Sequence, residues 1–262
     1  MTVLTTLKAK SIEEQMMILF CSMCSLQGEH EQWSMSERLK ATIEQYSRAM
    51  ILAPDISAYR GTLDIQVLGA MRALGVKGLP QTHDSDNLKL LLKEISHVLT
   101  AFRSTVKGLI SQSRSNSSGT RNLASLVNAL IRNTQVPPTL QLYRRVAFLV
   151  IVHLPSMFWP HANKAFQRWL MDTYPQSTTS EWWIKVDEKL AKTYQGLDPE
   201  QIDRLFTQVY KDDVAKFGDP SEIESQIVEP AALPGWIQVI NQYATSVVSQ
   251  KSRSNKRKLA PE

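Results

Sequence analysis

Apolar residues recur at intervals of three and four along most of this chain, the spacing that lays a stripe down one face of a helix. The clearest run is Leu88, Leu91, Leu92, Ile95, Val98, Leu99, Phe102, Val106 and Leu109, which predicts one long helix with Asp84, Ser85 or Asp86 as its cap. Ser11 to Glu14 and Ser34 to Glu37 carry the S-x-x-E order of a capping box. They predict one helix through about Leu26 and a second with Leu39, Ile43, Tyr46 and Met50 on one face, stopping before Pro54. Residues 57–74 read as helical, and Gly75 to Pro80 as a break.

Further along, Asn122 to Asn133 predicts a short helix with Leu123, Leu126, Val127, Leu130 and Ile131 inward. From Thr139 to His153 nearly every residue after Arg145 is apolar, which fits a central helix packed on most sides or a buried strand. His161 to Asp172 predicts another helix. Thr178 to Glu181 is a third capping box, opening a helix to Tyr194, and Asp198-Pro199 supplies a preferred cap and first position for one ending at Gly218. A last helix is expected from Trp236 to Val248.

The pattern predicts an all-α fold of about ten helices in two lobes around a basic central segment. The expected divisions are an N-terminal lobe 1–110, a mobile Ser/Arg loop 111–121, a C-terminal lobe 122–250 and a disordered basic tail 251–262. With 262 residues, 43% of them hydrophobic, the chain can bury a sizeable core. Its longest apolar runs, Met16 to Phe20 and Val146 to Trp159, fall short of the ~20 residues that span a bilayer, so no integral membrane segment is expected. Glu13 and Glu14 interrupt any secretory signal, and two cysteines suit a reducing compartment, cytoplasmic or nuclear.

Charge changes the picture. No Asp or Glu occurs from Ile95 to Met171, where Arg103, Lys107, Arg114, Arg121, Arg132, Arg144, Arg145, Lys164 and Arg168 give a net of +9, against +5 for the whole chain. Residues 172–250 carry −7 and the last twelve +4. The basic stretch also holds Phe102, Tyr143, Phe148, Phe158, Trp159, Phe166 and Trp169. Aromatic faces that stack on bases beside guanidinium groups that neutralise phosphates are the components of single-strand binding, although most of these rings are expected in the core. Arg144, Arg145, Arg114 and Arg121 are the first candidates for phosphate contacts, and Trp159, between prolines, is the ring expected nearest the surface. The same cations also fit a plainer role, snorkelling over apolar surface and pairing with the acidic region.

Catalytic chemistry finds no foothold. Cys21-Ser-Met-Cys24 has C-x-x-C spacing, but mid-helix in an apolar run and without two more ligands it reads as a pair of buried, inert cysteines. The histidines, His30, His83, His97, His153 and His161, share no metal or hydrolase spacing, and Gly69 to Lys77 lacks the order of a phosphate-binding loop. Asp187-Glu188 and Asp212-Asp213 are helical neighbours that diverge by about 100° and cannot converge on one substrate. No enzyme activity, cofactor or metal is expected.

These features lead to an expected non-enzymatic, structural nucleic-acid-binding protein that holds a single strand, RNA before DNA, in a basic cleft through Arg103, Lys107, Arg114, Arg121, Arg132, Arg144, Arg145, Trp159, Lys164 and Arg168. The tail residues Lys251, Arg253, Lys256, Arg257 and Lys258 fit a nuclear import signal that an import receptor would read. In general profile the chain is similar to the nucleocapsid proteins of segmented negative-strand RNA viruses, although no motif of that family matches a position here. The profile implies a homo-oligomer, with the first helices or the tail contacting the next protomer. The competing expectation is a matrix-type or scaffold protein whose basic middle meets an acidic partner or an anionic membrane.

Overall fold

A computed structural model describes residues 11–28, 33–114, 122–153, 179–217 and 220–245; for residues 21–28, 114, 151–153, 179–180, 216–217 and 220 it describes the backbone alone. Among them every regular element is helical. In chain order these are α1 (Ile12–Gly28), α2 (Glu37–Leu52), α3 (Leu63–Ala73), α4 (Ser85–Arg114), α5 (Leu123–Ile131), α6 (Leu140–His153), α7 (Thr179–Gly196), α8 (Pro199–Phe217), α9 (Pro220–Glu224) and α10 (residues 235–245), with a 3₁₀ turn at Pro230–Ala232.

The helix starts follow local chemistry. Ser11 and Glu14 form a reciprocal capping box, the Ser11 N–H donating to Glu14 Oε2 (3.0 Å) and the Glu14 N–H to Ser11 Oγ (3.3 Å). Asp198 and Gln201 do the same for α8, at 3.0 and 2.8 Å. Asn122 Oδ1 caps α5 by accepting from the Ser125 N–H (2.6 Å), and Asp84 caps α4 through the Asn87 N–H (3.3 Å).

Three expectations need correction, and one alternative falls away. The second cap is Ser36, not Ser34: Trp33 and Met35 are drawn against the core, so the chain stays extended through Ser36, whose Oγ accepts from the Leu39 N–H (3.2 Å). Residues 57–62 are not helical, because Gly61 at φ +91° breaks the backbone and side chains from distant helices take its polar groups. Ser111 to Arg114 extend α4 rather than opening the loop. Residues 140–153 form a helix, which removes the strand alternative.

α4, 30 residues and roughly 45 Å long, is the beam of the fold. It packs on α2 and α3, then on α5 and α6, and meets α7, while α8 lies along α6. Buried residues from Leu39 to Ala244 make one continuous core, with Ile43, Met50, Val67, Leu91, Ile95, Val127, Val146, Val186 and Ile240 fully enclosed. Trp236 stacks on Tyr46 (5.4 Å between centroids), tying α10 to α2, and Tyr243 lies against α3. At Gly69 an added Cβ would sit 2.6 Å from Tyr243 Cε1. Gly69→Ala is expected to destabilise the protein by about 1–2 kcal/mol, because overpacking outweighs the gain in helix propensity of roughly 1 kcal/mol. Urea denaturation measures it; a more stable variant would mean that the ring swings aside at no cost.

Candidate nucleic-acid interface

The loop of residues 53–62 has its backbone satisfied from three directions. Arg103 Nη1, from the middle of α4, donates to the Tyr59 carbonyl (2.7 Å), and its Nη2 donates to Thr100 Oγ1 (2.8 Å). Asp187 Oδ1, from α7, accepts the Tyr59 N–H (2.6 Å). Arg145, from α6, donates through Nη2 to the Ile56 carbonyl and through Nε to the Tyr59 hydroxyl (3.1 Å). Buried backbone groups need partners, and these three side chains supply them where a helix would have supplied its own.

Two guanidinium groups meet at this loop. Arg60 is exposed, and Arg103 is half-buried. Burial pulls the Arg103 pKa down, the Arg60 charge pulls it further, and Asp187 opposes both. Burial raises the Asp187 pKa to about 6, against the N–H groups of Tyr59 and Arg60 and the charges of Arg60 and Arg103, which lower it. One turn along α4, burial also lowers the Lys107 pKa, countered by Glu181. The result is a strip of three cations, Arg60, Arg103 and Lys107, beside a carboxylate that is easily protonated.

The remaining expected contacts divide sharply. Arg145 is a correction: it is 2% exposed, with Tyr59 and Phe206 rings each 5.5 Å from its guanidinium carbon, so it braces the core and offers no surface to phosphate. Arg144 pairs with Asp203 of α8 at 2.7 Å, which draws part of the acidic region onto the basic stretch. Arg132 is exposed at the end of α5. Phe102, Tyr143 and Phe148 are core residues and not stacking platforms. The side chain of Arg114, together with Arg121, Phe158, Trp159, Lys164, Phe166, Arg168, Trp169 and the tail, lies outside the described residues, as do the side chains of Cys21 and Cys24.

A groove of about 330 Å³ between α2 and α4 is not the expected basic cleft: Glu37, Glu44 and Glu94 outnumber Lys40 and Arg48, and those cations pair with Glu37 and Glu44. Sequence patterns do not single out Arg60 or give Asp187 a role at this loop: Arg60 lies outside the acid-free stretch in a segment that reads as helical, and Asp187 lies in the acidic region beside Glu188. Among the described residues no three His, Cys, Asp or Glu side chains gather as a metal site, and no helix is long and apolar enough to cross a membrane. Compared with protein-family models, curated proteins and solved structures, the chain matches none of them.

Proposed function

We propose that this is a non-enzymatic structural protein that binds single-stranded nucleic acid through phosphates, along the strip Arg60, Arg103 and Lys107 and through Arg132 together with Arg114, Arg121, Lys164 and Arg168. The observation that carries the reading is the charge layout: +9 without one carboxylate over residues 95–171, and at the loop an Arg60 charge that makes the charge of Arg103 costlier. A polyanion relieves that repulsion and releases its own counterions. One observation favours the scaffold reading instead. The Arg144–Asp203 pair shows the acidic region neutralising part of the basic stretch from within.

Binding of a fluorescent single-stranded RNA across a salt series separates the two. For the intact protein, affinity is expected to fall steeply with salt, by a log–log slope of about 0.7 for each phosphate neutralised. Arg60→Ala/Arg132→Ala, both at exposed positions, is expected to flatten that slope by between one and two. Truncation after Gln250 should leave salt-sensitive binding in place. Loss with the tail alone would reduce the protein to a scaffold with a basic arm, and no binding by the intact, nucleic-acid-free protein would sink the proposal.

A further inference from the structure

α1 presents an exposed apolar face, and the body of the fold carries an apolar cleft that is complementary to it. Ile12, Met16, Met17, Leu19 and Phe20 are 54–77% exposed, and none of the described α1 side chains belongs to the core. At roughly 100–150 Å² each, these five side chains expose on the order of 700 Å² of apolar surface, close to the ~800 Å² that each partner contributes to a stable interface. Residues 15–28 carry no charged side chain, so burying them strips no ion of its water. The only charges on α1 are Glu13 and Glu14, in its first turn. A helix with two carboxylates and no cation suits neither a polyanion nor an anionic lipid surface, and points to an apolar protein partner.

The cleft, about 140 Å³, lies where the C-terminal end of α2, the segment entering α6 and the start of α10 meet; Leu52, Val136, Leu142, Leu233 and Ile237 line it, with Asp55 as its one charged residue. A dry apolar cavity of roughly 150 Å³ holds a benzene ring, so this one matches a single phenyl side chain. The Trp33 indole N–H donates to the Gly78 carbonyl (2.9 Å), fixing the chain just after α1 beside the start of α2, whereas the cleft lies at the other end of that helix, roughly 20 Å away at 1.5 Å per residue.

We infer that α1 docks on a second copy of this chain, with Phe20 seated in the partner's cleft. The two contact surfaces differ, so the association is head-to-tail and leaves a free helix and a free cleft at its ends, able to extend or to close a ring. Neither surface depends on the nucleic-acid reading.

The test measures mass by light scattering on the nucleic-acid-free full chain at about 50 μM, near the range where such interfaces hold. The parent is expected to exceed the 29.7 kDa of one chain, and Phe20→Asp to fall to it. Leu233→Asp, at the half-buried rim of the cleft, should do the same; circular dichroism melting checks that both variants remain folded. Mixing the two single variants decides the geometry. One retains its cleft and the other its helix, so an equimolar mixture should form a dimer and nothing larger. A parent of single-chain mass would overturn the inference, whether α1 folds back on its own cleft or stays unpaired. So would an undiminished mass for Phe20→Asp, or a mixture of folded variants that stays monomeric.

Discussion

Arg145→Ala is expected to destabilise the protein by about 3–5 kcal/mol, the combined loss of a buried hydrogen-bond network and of the packing around it. The guanidinium holds the Ile56 carbonyl and the Tyr59 hydroxyl, lies against the Tyr59 and Phe206 rings, and has the Tyr194 hydroxyl as a further partner. Truncation leaves a buried carbonyl without its donor, a loss of about 1–3 kcal/mol by itself, and opens a cavity between α6, α8 and the 53–62 loop. Arg145→Lys keeps the charge but not the planar fork that reaches two acceptors at once, so it should fall between parent and Ala. Among the described residues no carboxylate pairs with Arg145, so Arg145→Met, which keeps volume without the ion, should cost less than Ala. Urea unfolding of the three variants gives the order. An Arg145→Ala protein as stable as the parent but unable to bind RNA would return this residue to the interface.

The second large effect is a pH dependence with a definite sign. Burial raises the Asp187 pKa from 3.8 to about 6 in the folded protein. Between those values the folded state holds more protons at this site than the unfolded state, so the stability that Asp187 contributes is present below pH 4 and is lost as pH rises through 6. Asp187→Asn cannot titrate, yet its Oδ1 can still accept the Tyr59 N–H. The stability of the variant relative to the parent should therefore shift in the variant's favour between pH 4 and pH 7, by at most ~3 kcal/mol, since each pKa unit corresponds to about 1.4 kcal/mol. Paired denaturation curves at pH 4, 5, 6 and 7 measure that difference, and titrations common to both proteins cancel. A constant difference across the range would show that Asp187 remains ionised and is held as a conventional partner of Arg60 and Arg103.

The same residue connects stability to the proposed interface. As pH falls through about 6 Asp187 gains a proton, which removes the negative charge that opposes the Arg60 and Arg103 guanidinium groups. The 53–62 loop thus joins three things: the Arg145 brace inside, the Asp187 carboxylate at its edge and the cations outside.

The sequence alone determined the all-helical class and most helix starts. Stripe spacing and capping chemistry act over three or four residues, and Leu88 to Leu109, Ser11 with Glu14, Asn122 and Asp198 carry their own instructions. It also determined the polarised charge, which is additive along the chain. Tertiary structure decided which cations face outward. Arg144 and Arg145 are neighbours in one motif, but a 100° turn of the helix sends one to Asp203 on the surface and the other into the core. It decided that residues 57–62 are a loop, because the groups that satisfy it stand on α4, α6 and α7, 44 to 128 residues away in sequence. And it left Ile12, Met16, Met17, Leu19 and Phe20 of α1 exposed, because whether an apolar stripe finds a partner depends on the surfaces around it, which local spacing cannot encode.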